Sequence, residues 1–435
     1  MQKALGKLMA FLETWNNSGA YYGPVIHRLN AARLFRIHET EWTQSAMLEG
    51  YLNLYEQSRN AEYLEKAISI AKNDMSKYSF RTHRYRYAGH EDDRFCSLIH
   101  CSMINCALLR LREFVDKHLS KRILDVVEDN IDRYIIEKLW RPDYGAFVFS
   151  EKDYYSASER FVINMNAMAL LMFLMHGSER YRTYIARTLD FILGTSLHGT
   201  DPLAEGATPY QRTRKEPDTL DTVSIYSGIT LSAMSRCHKY GLSRKGDVAK
   251  FCRRLYVHLT KFRDPDTGLF YHTFKECLKR YPQFIAGSSF VLKGLDDYER
   301  IFGERKRSRE IFSGIASYQQ ANGSFSGFHF YNSRENKRSG GRYEVIEDIF
   351  PTLSFNAHMF EYLTRNVSPD EVHYESLHIS RGGFSIHDMR DILFAYSLYP
   401  IRSFAILLYW KRCRYAIIDI SFHSCKNLFL KVLWK

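Results

Sequence analysis

The sequence predicts an all-α fold, an (α/α)6 toroid of six helical hairpins with short β-turn insertions. Three observations lead there. Along the chain a helical stretch rich in small residues is repeatedly followed by a more charged one. A short glycine–aromatic turn closes the unit, as DYGAF at 143–147, DTGLF at 266–270, NGSF at 322–325 and RGGF at 381–384, with one slot near Gly206. These turns recur roughly every 55–62 residues, the size of a helical hairpin plus its connection.

Apolar periodicity places each helix. The first members of the pairs cover 42–58, 92–115, 162–176, 218–240, 282–302 and 345–365. The second members cover 61–78, 119–139, 179–193, 245–262 and 304–320, and the N-terminal stretch 2–15 supplies the sixth outer helix. First members carry small residues such as Ser224, Ser227, Gly228, Ala286, Gly287, Ser288 and Ser289, which suit an inner wall where backbones crowd. Second members, as in ERKRSREIFSGIASYQQ, are charged and suit an outer wall in water. Residues 1–400 form the toroid on this reading. Residues 401–435 form a separate tail with seven Lys/Arg and a single acid, Asp419.

Composition narrows the function classes. Formal charge is +12, and the tail accounts for half of it, so nucleic-acid binding does not follow. The 30 Tyr and 29 Phe suit core packing first and a sugar-binding cleft second. Among the eight Cys no CxxC pair occurs, so they read as buried thiols rather than a disulfide frame or a zinc site. Cys96 and His100 stand four apart, which is read as a core contact; no metal or cofactor is expected. The N-terminus lacks the long apolar run of a signal peptide, and no stretch of 18 apolar residues exists, so the expected location is cytoplasmic. The tail alternates apolar and basic residues, which leaves membrane contact as a lesser expectation. P-loop, GxGxxG, GxSxG and HExxH motifs are absent.

In a toroid the loops before the inner helices gather at one mouth. That mouth holds His38–Glu39–Thr40–Glu41, His90, Glu91, Asp92, Asp93 and Arg94, Asn164 and Asn166, Asp218 and Asp221, and Glu344, Glu347 and Asp348. Acids at helix starts also serve as caps. Converging carboxylates repel, so one keeps its proton near neutrality and can act as a general acid, the arrangement glycosidic chemistry needs. Arg212, Arg214 and Lys215 can pair with a substrate carboxylate, and Trp42 is a candidate sugar-stacking ring.

The segments LDTVSIYSGITLSAMSRCHKYG, RDPDTGLFYHTF, FIAGSSFVLKGLDDYERIFG and SYQQANGSFSGF, spanning 218–328, resemble the unsaturated-uronyl hydrolases of glycoside hydrolase families 88 and 105, six-hairpin glycosidases. The resemblance implies that Asp221 protonates the C4=C5 double bond of a terminal unsaturated uronic acid; water then adds at C5 and the hemiketal opens. Asp218, one turn earlier, would share that role, and His272 of the TGLFYH turn would lie near the substrate. Two departures stand out. The family's Asp one hairpin earlier is replaced by Asn164 and Asn166, and its Arg-Gly-Asn-Gly-Trp run reads Ala286-Gly287-Ser288-Ser289-Phe290. Asp92, Asp93 and Glu347 are the substitute acids, with His90, Arg94, Asn166 and Asp348 as substrate contacts. The expected substrate is an acidic or unsaturated oligosaccharide or polysaccharide. The alternatives are a sugar epimerase, a polysaccharide lyase using Tyr210 and Arg212, a terpene-type cyclase, or a non-catalytic glycan-binding protein.

Overall fold

A computed structural model describes residues 1–21, 23–25, 36–38, 40–86, 96–151, 159–195, 202–213, 222–240, 242, 244–275, 277–279, 283–329 and 352–368. Twelve α-helices lie among the described residues. In chain order they are α1 (Gln2–Glu13), α2 (Glu41–Ser58), α3 (Ala61–Ser76), α4 (Leu98–Leu111), α5 (Lys117–Asn130) and α6 (Ile163–His176). Then follow α7 (Arg182–Leu193), α8 (Ser224–Lys239), α9 (Lys245–Lys261), α10 (Ser288–Phe302), α11 (Arg307–Ile315) and α12 (Leu353–Thr364). The even-numbered helices pack in a closed series, α2 on α4, α4 on α6, α6 on α8, α8 on α10, α10 on α12 and α12 back on α2. The odd-numbered helices form the outer layer, and the all-α toroid expected from the sequence is the fold observed.

Burial follows the two layers. In α6 every residue from Ile163 to Phe173 is buried, because neighbours cover it on both sides. In α5 the buried set is Leu119, Ile123, Val126, Val127 and Asn130, a single stripe facing inward. The small residues act as expected. A methyl on Gly228 would stand 2.6 Å from the Phe290 carbonyl oxygen, so α8 and α10 touch backbone to backbone.

Each outer helix ends in a tight turn with a left-handed residue. In order these are Gly19, His83, Gly145, Gly206, Gly268 and Gly323, with φ of +92°, +55°, +63°, +81°, +70° and +87°. The six-fold rhythm is thus present in the backbone even where the residue is not glycine. The turns also bind the outer layer together. Gly19 lies against α3, Gly145 against α7 and Gly206 against α9. The His83 turn sits on α5, where Asn130 Nδ2 donates to the His83 carbonyl at 2.8 Å. The last turn closes the ring, since Gly323 lies on Lys7 of α1 and Gln319 Nε2 donates to the Ala4 carbonyl at 2.9 Å. The expectation that the N-terminal helix completes the outer wall is therefore met.

Three predicted helix starts are set later than expected. Thr222–Val223 does not open α8, because it is a strand paired with Thr273–Phe274; residues 218–221 lie outside the described residues. Residues 283–287 do not open α10, because Gln283–Phe284 pairs with Phe328–His329. Cys96 lies before α4, whose N-cap is Ser97. In each case strand pairing or capping outcompetes helix propensity. The predicted outer helix at 119–139 is continuous, but Ile131–Leu139 winds as a π-helix. The RGGF turn and the tail at 401–435 lie outside the described residues.

Ring closure is testable at one atom. A Cβ on Gly323 would stand 2.2 Å from the Lys7 carbonyl oxygen, whereas one on Gly303 (φ +72°) meets nothing within 4 Å. Gly303→Ala is expected to cost only the left-handed strain, about 1–2 kcal/mol. Gly323→Ala carries that strain plus overpacking of about 1–3 kcal/mol. Urea unfolding of the two variants checks the difference.

Candidate functional site

The inner helices run parallel, because residues near their N-termini meet one another. Trp42, second in α2, lies edge-on to His100 of α4 at 5.6 Å and to Phe290 of α10 at 5.6 Å. His358 of α12 stands 4.1 Å from Phe290 and 6.2 Å from Trp42, ring centre to ring centre. Contact between α2 and α10, which are not neighbours in the ring, places these rings toward the axis. On the other side Tyr210 stacks on Tyr226 of α8 at 4.8 Å, and Tyr210 accepts from the first amide of α6.

This end also carries polar side-chain atoms that have no partner among the described residues. Ser97 stands at the N-cap of α4 but its Oγ makes no capping bond, and Asn164 of α6 has neither side-chain atom bonded. Ser224 Oγ of α8, Ser289 Oγ of α10 and Thr352 Oγ1 before α12 are likewise unbonded, and all five residues are buried. Buried polar groups are normally paired, so these five are free to bond a molecule that enters at this end.

His358 is the most unusual side chain here. It is fully buried, its Nδ1 lies 3.2 Å from Glu361 Oε2, and its Nε2 has no partner. Burial lowers its pKa to about 4 despite the Glu361 carboxylate, so the ring is neutral at pH 7. Glu361 is itself fixed by Lys293 Nζ at 2.7 Å. Burial would raise the Glu361 carboxyl, but Lys293, His358 and Arg365 together hold it below its ordinary value. On the other side of Trp42, His100 Nδ1 stands 3.7 Å from Glu41 Oε2.

Deeper along the axis the charges are paired. Arg110 bonds Glu49 and Glu56, Arg365 bonds Asp297 at 2.6 Å, and Arg236 lies 3.9 Å from Glu49. Burial pushes the Glu49 carboxyl up, but Arg110, Arg236 and Arg365 outweigh it and keep it low. Asp296 is raised by burial despite Arg300.

The expected site residues fare unequally. Trp42 is at the mouth. His272 stacks on Phe284 at 5.0 Å, and its carbonyl accepts from the Ser224 amide, which places it at the entry to α8. Arg212 lies over the Phe191 ring at 5.8 Å, in the strand paired with Arg160–Val162. Asn166 lies in the first turn of α6. It bonds the Phe147 amide and carbonyl and the Val162 carbonyl, so it staples the DYGAF turn to α6 and has no donor to spare. Asn356 of α12 repeats the same three bonds with Phe325 and Thr352. Asp221, Asp218, Asp92, Asp93, Glu347, His90, Arg94 and Asp348 lie outside the described residues. Sequence reasoning missed His358, Glu361 and Lys293. The signal was His358 and Glu361 three apart within the otherwise apolar LSFNAHMFEYLT.

No family model matches the chain, and no curated protein matches it. Solved structures do. Cellobiose 2-epimerase from Bacillus thermoamylovorans is 11% identical, with 84% of this chain and 100% of that one covered and a TM-score of 0.62. A D-mannose isomerase is 10% identical, with 83% and 96% covered and a TM-score of 0.59. An unsaturated glucuronyl hydrolase specific for heparin is 11% identical, with 85% and 96% covered and a TM-score of 0.57. At such identity the likeness carries the fold alone, the (α/α)6 toroid. No helix among the described residues is long and apolar enough to cross a membrane.

The buried imidazole makes stability depend on pH. His358 titrates near 4 folded and near 6.5 unfolded, so unfolding between those values takes up a proton, and stability falls as pH drops through that window. In wild type this residue contributes a slope of about 1.4 kcal/mol per pH unit. His358→Asn is expected to remove that share of the slope, read from denaturant unfolding between about pH 5 and 6.5.

Proposed function

We propose that the chain is a carbohydrate-active enzyme that binds a sugar at the N-terminal mouth of the inner ring and moves a proton next to the sugar carbonyl, as an isomerase or epimerase does. One observation carries this reading: a neutral imidazole, His358, whose Nδ1 is held by a buried carboxylate and whose Nε2 is unbonded. The pairing with Glu361 favours the tautomer with the proton on Nδ1, which leaves a lone pair on Nε2. Such a nitrogen can take the proton from the carbon beside the carbonyl of an open-chain sugar. The electron pair left behind flows to the carbonyl oxygen and gives an enediolate. Returning the proton to the adjacent carbon on the same face, while a proton passes from the neighbouring hydroxyl to the former carbonyl oxygen, interconverts aldose and ketose with a single base. Epimerisation requires a second group on the opposite face.

Trp42, Phe290, Tyr210 and Tyr226 offer apolar rings for sugar faces, and the orphan hydroxyls and Asn164 offer partners for sugar hydroxyls. The solved epimerase and isomerase of this fold are in keeping with the reading.

A second reading keeps the expected hydrolysis of an acidic or unsaturated oligosaccharide, with Asp221 as general acid and Asp218, Asp92, Asp93 or Glu347 assisting. One observation favours it. Thr222, the residue that follows Asp221 in the sequence, lies in the strand that leads into α8, and its carbonyl accepts from Thr273 Oγ1 at 2.6 Å.

The two readings separate in heavy water. Incubated with a panel of reducing sugars, the enzyme is expected to interconvert one class and to incorporate deuterium at the carbon beside the carbonyl. His358→Asn should lose about 10²–10⁴ in turnover, the usual share of a general base, while still binding the sugar. Cleavage of an unsaturated uronide with no carbon-bound deuterium, abolished in Asp221→Asn and retained in His358→Asn, would replace the first reading with the second.

A further inference from the structure

We propose that Glu41, Cys96 and His100 form a binding site for a divalent transition-metal ion of the zinc class, with three protein ligands and one open position. Glu41 is the first residue of α2, while Cys96 and His100 flank the start of α4, and α2 packs on α4. One donor atom from each residue lies within 4.8 Å of the other two. Glu41 Oε2 and His100 Nδ1 are 3.7 Å apart, close to the roughly 3.4 Å that two ligands of a tetrahedral zinc ion subtend with bonds near 2.0–2.1 Å. A thiolate, an imidazole and a carboxylate are donors that zinc accepts together, whereas magnesium and calcium call for oxygen alone. Among the described residues no other group of three His, Cys, Asp or Glu donors converges in this way.

Access decides where the fourth position opens. Glu41 and Cys96 are buried, and only His100 keeps a partly exposed side chain, at 14%. The His100 ring packs edge-on against Trp42, which sets the three donors beside the mouth, where a hydroxyl or carbonyl oxygen is the ligand class the open position would take. Spacing along the chain shows only the Cys96–His100 pair, which reads as a core contact. The third donor comes from a helix more than fifty residues earlier and appears only when α2 and α4 are packed. Cys101 Sγ lies 3.1 Å from Cys96 Sγ but outside the three-donor group, which makes it a control on the same helix.

The proposal stands apart from the assigned chemistry, because it is read without substrate. The full chain is stripped with chelator, incubated with zinc sulfate, freed of unbound metal and assayed by atomic absorption. Cobalt(II) loading is followed in parallel by the thiolate-to-cobalt absorption band. About one zinc per chain is expected, with the cobalt band present. Cys96→Ser and His100→Ala should each weaken zinc binding by about tenfold or more, and Cys96→Ser should abolish the band. Cys101→Ser should keep both, and circular dichroism confirms that each variant is folded. Less than about one-tenth of a zinc per chain, or unchanged zinc and cobalt binding in folded Cys96→Ser, overturns the site.

Discussion

Ring closure is the constraint on which the rest of this molecule depends. Each outer helix ends in a left-handed turn, and most of these turns seat their glycine on the next outer helix. The contact is backbone to backbone at Lys7 and at Arg254, so no side chain can swing away to absorb an error. The last seat joins the turn after α11 to the N-terminal helix, since Gln319 Nε2 donates to both Ala4 and Gly323 carbonyls. Closing so long a loop costs entropy that grows only slowly with length, so a few well-fitted contacts suffice to offset it.

Closure has an electrostatic consequence. Parallel inner helices add their macrodipoles, positive at the shared N-terminal end and negative at the other. The sequence answers at the negative end with Arg110, Arg236 and Arg300 in the last turns of α4, α8 and α10, and with Arg365 capping α12. Those cations meet Glu49, Asp296, Asp297 and Glu361, so the deep half of the axis is a closed network. At the positive end the hydroxyls of Ser97, Ser224, Ser289 and Thr352 are left unbonded. The toroid is therefore asymmetric along its axis. At one end the charges are paired among themselves, and at the other the helix dipoles favour an electron-rich guest.

What could be read in advance was what repeats. The turns at Gly145, Gly268 and Gly323, the small residues of α8 and the charged faces of the outer helices follow local rules of φ, crowding and solvation. The mouth was harder, because its chemistry is made by non-local contact. His358 and Glu361 look like strays in an apolar helix until Lys293, on another chain segment, neutralises one of them. Asn166 looked like a ligand group because Asn is polar and sits near a helix start; only the register of the DYGAF turn shows that its bonds are all used. Helix starts moved for the same reason. Thr222 and Gln283 have strand partners some fifty residues away or nearly so, and no local propensity reports them.

The retained charges on the axis argue for a working site rather than a merely stable one. Replacing a buried ion pair by packed apolar side chains is often neutral or stabilising, so stability alone does not explain why Lys293 and Glu361 persist among Phe290, Leu292 and Phe360. Their arrangement has a direction. Lys293 holds Glu361, Glu361 meets His358 Nδ1, and the chain of bonds stops at Nε2. An unbonded ring nitrogen in the interior costs about 1–3 kcal/mol. On the proposed reading, a molecule that enters at the mouth completes the chain of bonds at that nitrogen.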